Sequence, residues 1–311
     1  ITEVNAADGA FDKKVVQEQK RLLESRIKNI YNNKDRYAYK RFLENIAPDE
    51  AIGISTLGYL EDLKAIDEVS LYKAYEEMLR DDEVSVIILG NVSELKVISE
   101  LSFIEDFAKE KHLEISHYEK TTKAVTQVKR IEEVQSLNQT KLIMGYRIDV
   151  PIKDPLFDGV AIFSAMFGGL FVSSLFREIR EKHSLAYSIF SHHIPEANLF
   201  VVRAGIDAKN VDKTIALITE ELDKYQNKRV SKELFDIAKE NLLSEIEGLE
   251  DSPNAIANFI HRQSVLEEEL EIASLKERIA NVKLKDVLAL VQRITLDTIY
   301  VLKGEQQHAD H

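Results

Sequence analysis

The sequence predicts a mixed helix-and-strand chain built from two related halves. Three observations carry this. Stretches with apolar residues at helical spacing alternate with short runs rich in β-branched residues. Residues 66–90 align with 279–303 at an offset of 213, pairing Ile66 with Ile279, Val69 with Val282, Leu71 with Leu284, Val86 with Ile299 and Leu89 with Leu302. Residues 20–30 align with 239–249 at an offset of 219, pairing Lys20 with Lys239, Leu23 with Leu242, Ile27 with Ile246 and Ile30 with Leu249. Shared order and a near-constant offset favour duplication over chance agreement between amphipathic helices. The first half is read as residues 1–110, the connection as 111–138 and the second half as 139–311. The counterpart of Gln139 falls before Ile1, so the first copy is expected to be incomplete here, and any targeting segment to have been lost with the missing start.

The elements follow in order. Residues 11–32 form a long amphipathic helix, with Val15, Val16, Leu22, Leu23, Ile27 and Ile30 on its apolar side. A shorter helix spans Tyr37–Glu44, and Ala47-Pro48 with Gly53 and Gly58 marks a loop. Residues 68–80 are helical, Glu83–Gly90 is a buried strand, and 93–110 is helical again. Residues 111–138 are polar and connect the halves with some strand. Gln139–Val150 is a strand. Asp154-Pro155 opens a helix, where proline's missing N–H costs little, and Gly168-Gly169 ends it as a helix–helix turn. Residues 172–182 return to helix. Ala186–His193 and Asn198–Gly205 are strands around Pro195, and helices follow at 209–226, 231–248, 253–268 and 283–293. Asp297–Leu302 closes the chain as a strand.

Composition narrows the function classes. Forty-one Lys and Arg against 54 Asp and Glu give a net charge of −13, the opposite of a nucleic-acid footprint. The apolar runs are too short to cross a membrane. There are no cysteines, which removes disulfides, thiolate metal sites and Cys nucleophiles and fits a reducing, cytoplasmic setting. The eight histidines include no H-x-x-E-H and no H-E-x-x-H, and none pairs at i, i+4 on a helix. His192 and His193 are neighbours on a strand and point to opposite faces. Acidic runs such as Glu267-Glu268-Glu269 read as solvated faces. The residues by themselves show no self-sufficient catalytic site and no metal site.

Residues 168–190, GGLFVSSLFREIREKHSLAYSIF, are the most specific stretch. Ser174, Leu175, Phe176, Ile179, Arg180, Glu181, Lys182, Leu185, Ala186, Tyr187 and Ser188 follow a small-residue turn in a fixed pattern. That pattern closely resembles the C-terminal repeat of the insulinase/pitrilysin family of zinc metallopeptidases, which includes the mitochondrial processing peptidase. The resemblance extends over nearly the whole chain. It implies an α+β fold of two homologous repeats, each a mainly antiparallel sheet with helices, of the mitochondrial processing peptidase/LuxS metallohydrolase-like type.

In that family the zinc site lies in the N-terminal repeat, on H-x-x-E-H and a glutamate about 75 residues later. The first motif would precede Ile1. With Ile27 as anchor, the later acidic positions are held by Gln19 and Arg26. A one-residue shift offers Glu18 with Ser25, and a third register Glu3 with Ala10, leaving the ligand slot empty each time. The resemblance therefore implies a degenerate, non-catalytic member with no metal of its own. Arg180 and Tyr187, seven apart, match the family's pair that hydrogen-bonds the peptide carbonyl and its oxyanion. A helix-capping Arg and a packed Tyr are the structural alternative. The functional expectation is a subunit that helps bind unfolded peptide, laid along a sheet edge, for a zinc-bearing partner of the same family in a heterodimer or homodimer. Two alternatives stand beside it. One is a catalytic zinc endopeptidase whose zinc helix lies upstream, and the other is a purely structural scaffold.

Overall fold

The structure is a computed structural model that describes residues 6–82, 84, 86–102, 123–266 and 271–304. In chain order the strands are β1 (Ala6–Ala7), β2 (Ala10–Phe11), β3 (Lys129–Gln135), β4 (Thr140–Ile148), β5 (Ala186–Ile194), β6 (Leu199–Ile206) and β7 (Ile294–Gly304). The α-helices are α1 (Lys13–Asn32), α2 (Lys34–Ile46), α3 (Glu68–Asp81), α4 (Glu94–Glu100), α5 (Phe157–Ser164), α6 (Val211–Gln226), α7 (Lys232–Glu247), α8 (Pro253–Leu266), α9 (Ile272–Asn281) and α10 (Leu284–Leu290). Helices and a mixed sheet make an α+β fold, as the sequence predicts. Among the described residues no helix is long and apolar enough to cross a membrane.

The chain divides into two compact units. One draws on residues 1–32, 55–117 and 250–269. It holds the β1–β2 hairpin, α1, α3, α4 and α8. The hairpin turns on Asp8 (φ 53°) and Gly9 (φ 74°), both left-handed, which is the two-residue turn that an Asp-Gly pair favours. The Asp12 carboxylate accepts from the N–H groups of Lys14 and Val15 and so caps the first turn of α1. Phe11 meets Tyr72 and Tyr75 of α3 edge to face at 5.4 and 5.6 Å.

The second unit draws on residues 33–54, 118–249 and 270–311. Its five-stranded sheet has the order β3-β7-β4-β6-β5, antiparallel throughout except for the parallel β3–β7 pair. Strand β4 is central and buried along nearly its whole length, so both faces of the sheet need cover. One face carries the main core, where Met144, Phe163, Phe167, Phe200 and Tyr225 are fully buried. Helix α2 covers the other face. Its Ala38, Phe42 and Ile46, at i, i+4 and i+8, pack on Ile143, Leu199, Val201 and Tyr300. Gly145 lets α2 approach, since a Cβ there would stand 2.4 Å from the Phe42 ring.

Arg147, 3% exposed on β4, ties α2 to this sheet. Its Nε donates to Asp297 Oδ2 at 2.9 Å, Nη1 to Glu50 Oε2 at 3.2 Å and Nη2 to the Ile46 carbonyl at 2.7 Å. Nη2 also lies 2.9 Å from Glu50 Oε1, without the alignment of a hydrogen bond. Although Glu50 loses hydration there, the Arg147 hydrogen bond and charge, with help from Lys123, hold its carboxyl below the usual range.

Several expectations need adjustment. The expected strand Glu83–Gly90 forms no ladder among its described residues, and Val84, Val86, Ile88 and Leu89 are exposed. A strand exists only against a neighbour, and the described residues of this unit supply none to pair with it. Its expected equivalent, Asp297–Leu302, lies inside β7. Residues 33–54, read as first half, pack in the unit that holds the large sheet, because α2 carries the apolar stripe that the sheet's second face requires. Helix α8, read as second half, belongs to the other unit. Helix α9 was not expected. Of the predicted helix 93–110, residues 94–100 are helical and 103–110 lie outside the described residues. The connection 111–138 is described from residue 123 and contributes β3.

Candidate functional site

Residues 164–194 are the most irregular backbone of the second unit. Helix α5 does not stop at Gly168-Gly169 but widens into a π-helical turn over Ala165–Gly169. Gly168 lies against β5, where a Cβ would stand 2.7 Å from the Ser191 amide nitrogen, so only glycine fits this approach. After a turn, Phe176–Lys182 is again π-helical. His183 N–H donates to the Glu178 carbonyl at 3.2 Å and Leu185 N–H to the Ile179 carbonyl at 3.0 Å. Ser184, at φ 51°, reverses the chain into β5. The ladder between β5 and β6 then slips at Tyr187: Ala186 faces Ile206, while Ser188 faces Gly205. This bulge breaks the in–out alternation, so Tyr187 and Ser188 are both exposed.

Arg180 stands on the second π-helical turn, exposed, with its guanidinium 4.8 Å from the centre of the Phe176 ring. Phe176 meets Phe171 edge to face at 5.4 Å, and Phe171 is 81% exposed. Among the described residues the Arg180 guanidinium makes no hydrogen bond or ion pair. Tyr187 is 61% exposed, and its hydroxyl donates to Asp207 Oδ1 at 2.9 Å. The hydrogen bond to Asp207, and then that carboxylate's charge, push the phenol above its ordinary value. The tyrosine is therefore a protonated donor already engaged with Asp207. To hold a peptide carbonyl it must exchange that partner. Asp207, Phe171 and the π-helical turns were not anticipated from sequence. An aromatic two residues after Gly-Gly was the available signal for Phe171.

The two edges of the sheet differ in chemistry. Edge strand β3 reads KRIEEVQ and is guarded by Lys129, Arg130, Glu132 and Glu133. Edge strand β5 reads AYSIFSHHI and has no Lys, Arg, Asp, Glu or Pro. Charges and prolines are the usual protection of an edge against an added strand. Only β3 has them.

Gln19 and Arg26 lie in α1 of the other unit, both exposed. The residues present there do not fit a zinc centre. A guanidinium stays protonated and cannot ligate, and a glutamine amide is not a carboxylate. Among the described residues no three or more His, Cys, Asp or Glu are grouped so that they could hold a metal ion.

Comparison with known proteins agrees with the fold and with the segment 168–190. The sequence model of the Peptidase M16 inactive domain matches residues 65–242. The chain belongs to this family. A probable inactive metalloprotease, YmfF of Bacillus subtilis, is 28% identical over 300 residues, which is 96% of this chain and 69% of YmfF. An uncharacterized zinc protease of Streptomyces coelicolor is 30% identical over 161 residues, 49% of this chain and 35% of that protein. Among solved structures, a conserved protein from Enterococcus faecalis superposes with a TM-score of 0.86 at 23% identity, covering 98% of this chain and 72% of the other. The peptidase M16 inactive domain from Pseudomonas fluorescens gives 0.78 at 15%, over 95% and 72%. At these identities the superpositions speak for the fold, and the family match supports the resemblance drawn from the sequence.

Proposed function

We propose that this chain is a non-catalytic peptidase-family protein that helps bind an extended peptide for a zinc-bearing relative. The observation that carries the reading is the outward setting of Arg180 and Tyr187 at the start of the unguarded edge strand β5. A peptide added to β5 would be held by main-chain hydrogen bonds with little demand on its sequence. Arg180 offers a planar fork of donors and Tyr187 a phenol, both suited to a carbonyl that gains negative charge. Hydrolysis itself would fall to zinc on the partner, in a heterodimer of two family members; a homodimer of this chain would bind peptide without cleaving it. Gln19 and Arg26 supply no ligand for that metal.

The test is cleavage of an unstructured peptide by this chain reconstituted with a family member that carries H-x-x-E-H. Tyr187→Phe should lower turnover more than affinity, with a loss of about 10²–10³ if the phenol is an oxyanion donor. Arg180→Lys should also be impaired, since it keeps charge and loses the fork. Full activity with both residues replaced by alanine in an intact complex would leave only a scaffold role.

A further inference from the structure

Four arginines among the described residues are buried or half-buried: Arg41, Arg147, Arg203 and Arg278. Three have carboxylate partners. Arg41 binds Glu44 and Glu133, Arg147 binds Glu50 and Asp297, and Arg278 makes a two-pronged contact with Asp158. Arg203 is the exception. Its guanidinium lies over the rings of Tyr39, at 4.6 Å, and Phe190, at 5.2 Å. Among the described residues it makes no ion pair and no hydrogen bond. Stacking on a ring leaves the in-plane N–H donors of a guanidinium open, and those edges bind planar anions two-pronged.

The donors border a small, shallow cleft on the α2 side of the sheet. Arg203, Lys141, Asp35, Ser188, Phe190 and Gly205 line it. The register explains the opening. Gly205 lies between Ser188 of β5 and Lys141 of β4 and brings no side chain to that row. Phe190 lies directly opposite Arg203. Asp35 is occupied by Lys141 at 3.1 Å, so the charge without a partner is that of Arg203. Nearby His192 adds no charge near neutrality, because burial and then the Arg203 charge depress its ring to about 4. The net −13 of the chain acts weakly here, since salt at 0.15 M screens exposed charges beyond about 8 Å.

We infer that this cleft is an anion site that takes the side-chain carboxylate of an acidic residue in a peptide added to β5. The inference rests on the peptide-docking reading of β5 and gives it a sequence preference. Ser188 and Phe190 belong to the open edge strand, so alternate side chains of an added strand fall on the same face as the cleft. One of them would lie beside Phe190, with its carboxylate directed at Arg203. The preference would thus be for Glu or Asp at a single position, with little selection on either side.

Binding of fluorescent, C-terminally amidated peptides to the full chain tests this. The peptides are unstructured and neutral except for one central glutamate. The glutamate peptide should bind about tenfold tighter than the same peptide with Glu→Gln, a gap that narrows as salt rises. Arg203→Gln should erase the gap and leave weak binding of both peptides. Circular dichroism checks that this variant is folded; should it not fold, the Glu/Gln comparison on the unaltered chain decides alone. Equal affinity for the two peptides overturns the anion site and leaves strand docking standing. A Gln peptide made with a free C-terminal carboxylate that binds as tightly as the amidated glutamate peptide also overturns it, because the carboxylate captured is then a chain end. Failure of every peptide to bind folded protein overturns the docking reading itself.

Discussion

Replacing Arg147 by methionine should be among the most damaging single changes in the second unit. The substitution keeps most of the aliphatic bulk and removes the guanidinium. Asp297, 8% exposed, would keep only the Thr298 hydroxyl at 2.7 Å, and Glu50 would keep only Lys123 at 3.3 Å. The Ile46 carbonyl at the end of α2 would lose its side-chain donor. Stranding a buried charge costs about 3–5 kcal/mol. The partners that remain argue for the lower end, and the orphaned carbonyl adds about 1 kcal/mol. The expected loss is about 3–4 kcal/mol, a large share of the 5–15 kcal/mol typical of a domain. Urea denaturation followed by circular dichroism would show a lower midpoint with an unchanged slope. Arg147→Met/Asp297→Leu should recover part of the loss, because the stranded charge goes with its partner. A midpoint for Arg147→Met within experimental error of the parent, or a double variant weaker than the sum of its singles, would refute this account of how α2 is fastened.

Further predictions concern acidity and turns. His192 is half-buried, accepts or donates to the Tyr39 hydroxyl at 3.1 Å, and is held at about 4 chiefly by burial, with Arg203 of β6 adding to it. A histidine depressed in the fold stabilises it above its unfolded value of about 6.5, and that contribution is lost as pH falls from there toward 4. The depression is worth at most about 3 kcal/mol, trimmed to about 2 by water at the half-exposed ring. His192→Gln should flatten stability between pH 6.5 and 4, read by thermal unfolding; an unaltered acid limb would contradict the assignment. Asp207→Asn should bring the Tyr187 phenol back toward its ordinary value, followed by NMR of a ring-labelled sample, with no change if the hydrogen bond is absent in solution. Gly9→Val places a β-branched residue at φ 74° in the β1–β2 turn and should lower the melting temperature of the first unit, whereas Gly9→Asn should be mild.

How much of this was legible in the sequence differs from place to place, for physical reasons. Strands β4, β6 and β7 were readable because continuous β-branched and apolar runs suit strands buried on both faces. Helix α2 was readable as a helix but not as a cover for the distant sheet. Its Ala38, Phe42 and Ile46 stripe reports that it needs a partner, not which partner. The Glu83–Gly90 run shows no ladder among its described residues, and β-branched composition measures only fitness for a pleated surface, not whether a neighbour pairs with it. Helix α9, with Ile272, Leu275 and Ile279 at helical spacing, had an adequate signal that acidic flanking residues obscured. Arg203 was invisible as a special residue. In the sequence it is one of 41 Lys and Arg, and only the fold shows it to be, among the described residues, the half-buried arginine without a carboxylate partner.

The distribution of irregular backbone bears on why Arg180 and Tyr187 stand where they do. Two π-helical turns, the left-handed Ser184 and a β-bulge fall within residues 165–188, while β6 next to them runs without interruption. A π-helical turn holds its hydrogen bonds less well than an α-helix, and a left-handed serine costs about 1 kcal/mol or more. A segment whose only duty was to fill the core would gain by regularising. An α-helical turn would rotate Arg180 on its axis, and an unbroken ladder would send Tyr187 and Ser188 to opposite faces. Each irregularity thus acts on the direction of a side chain that the regular form would aim elsewhere. The consequence can be checked by removing the bulge. Deletion of Ser188 restores alternation on β5 and seats Tyr187 opposite Gly205 with the pairing beyond it unchanged, so it should weaken peptide binding at this edge by re-aiming Tyr187. If the deletion variant folds and binds peptide like the parent, the orientation of Tyr187 does not matter, and the strained segment is only a feature of the packing.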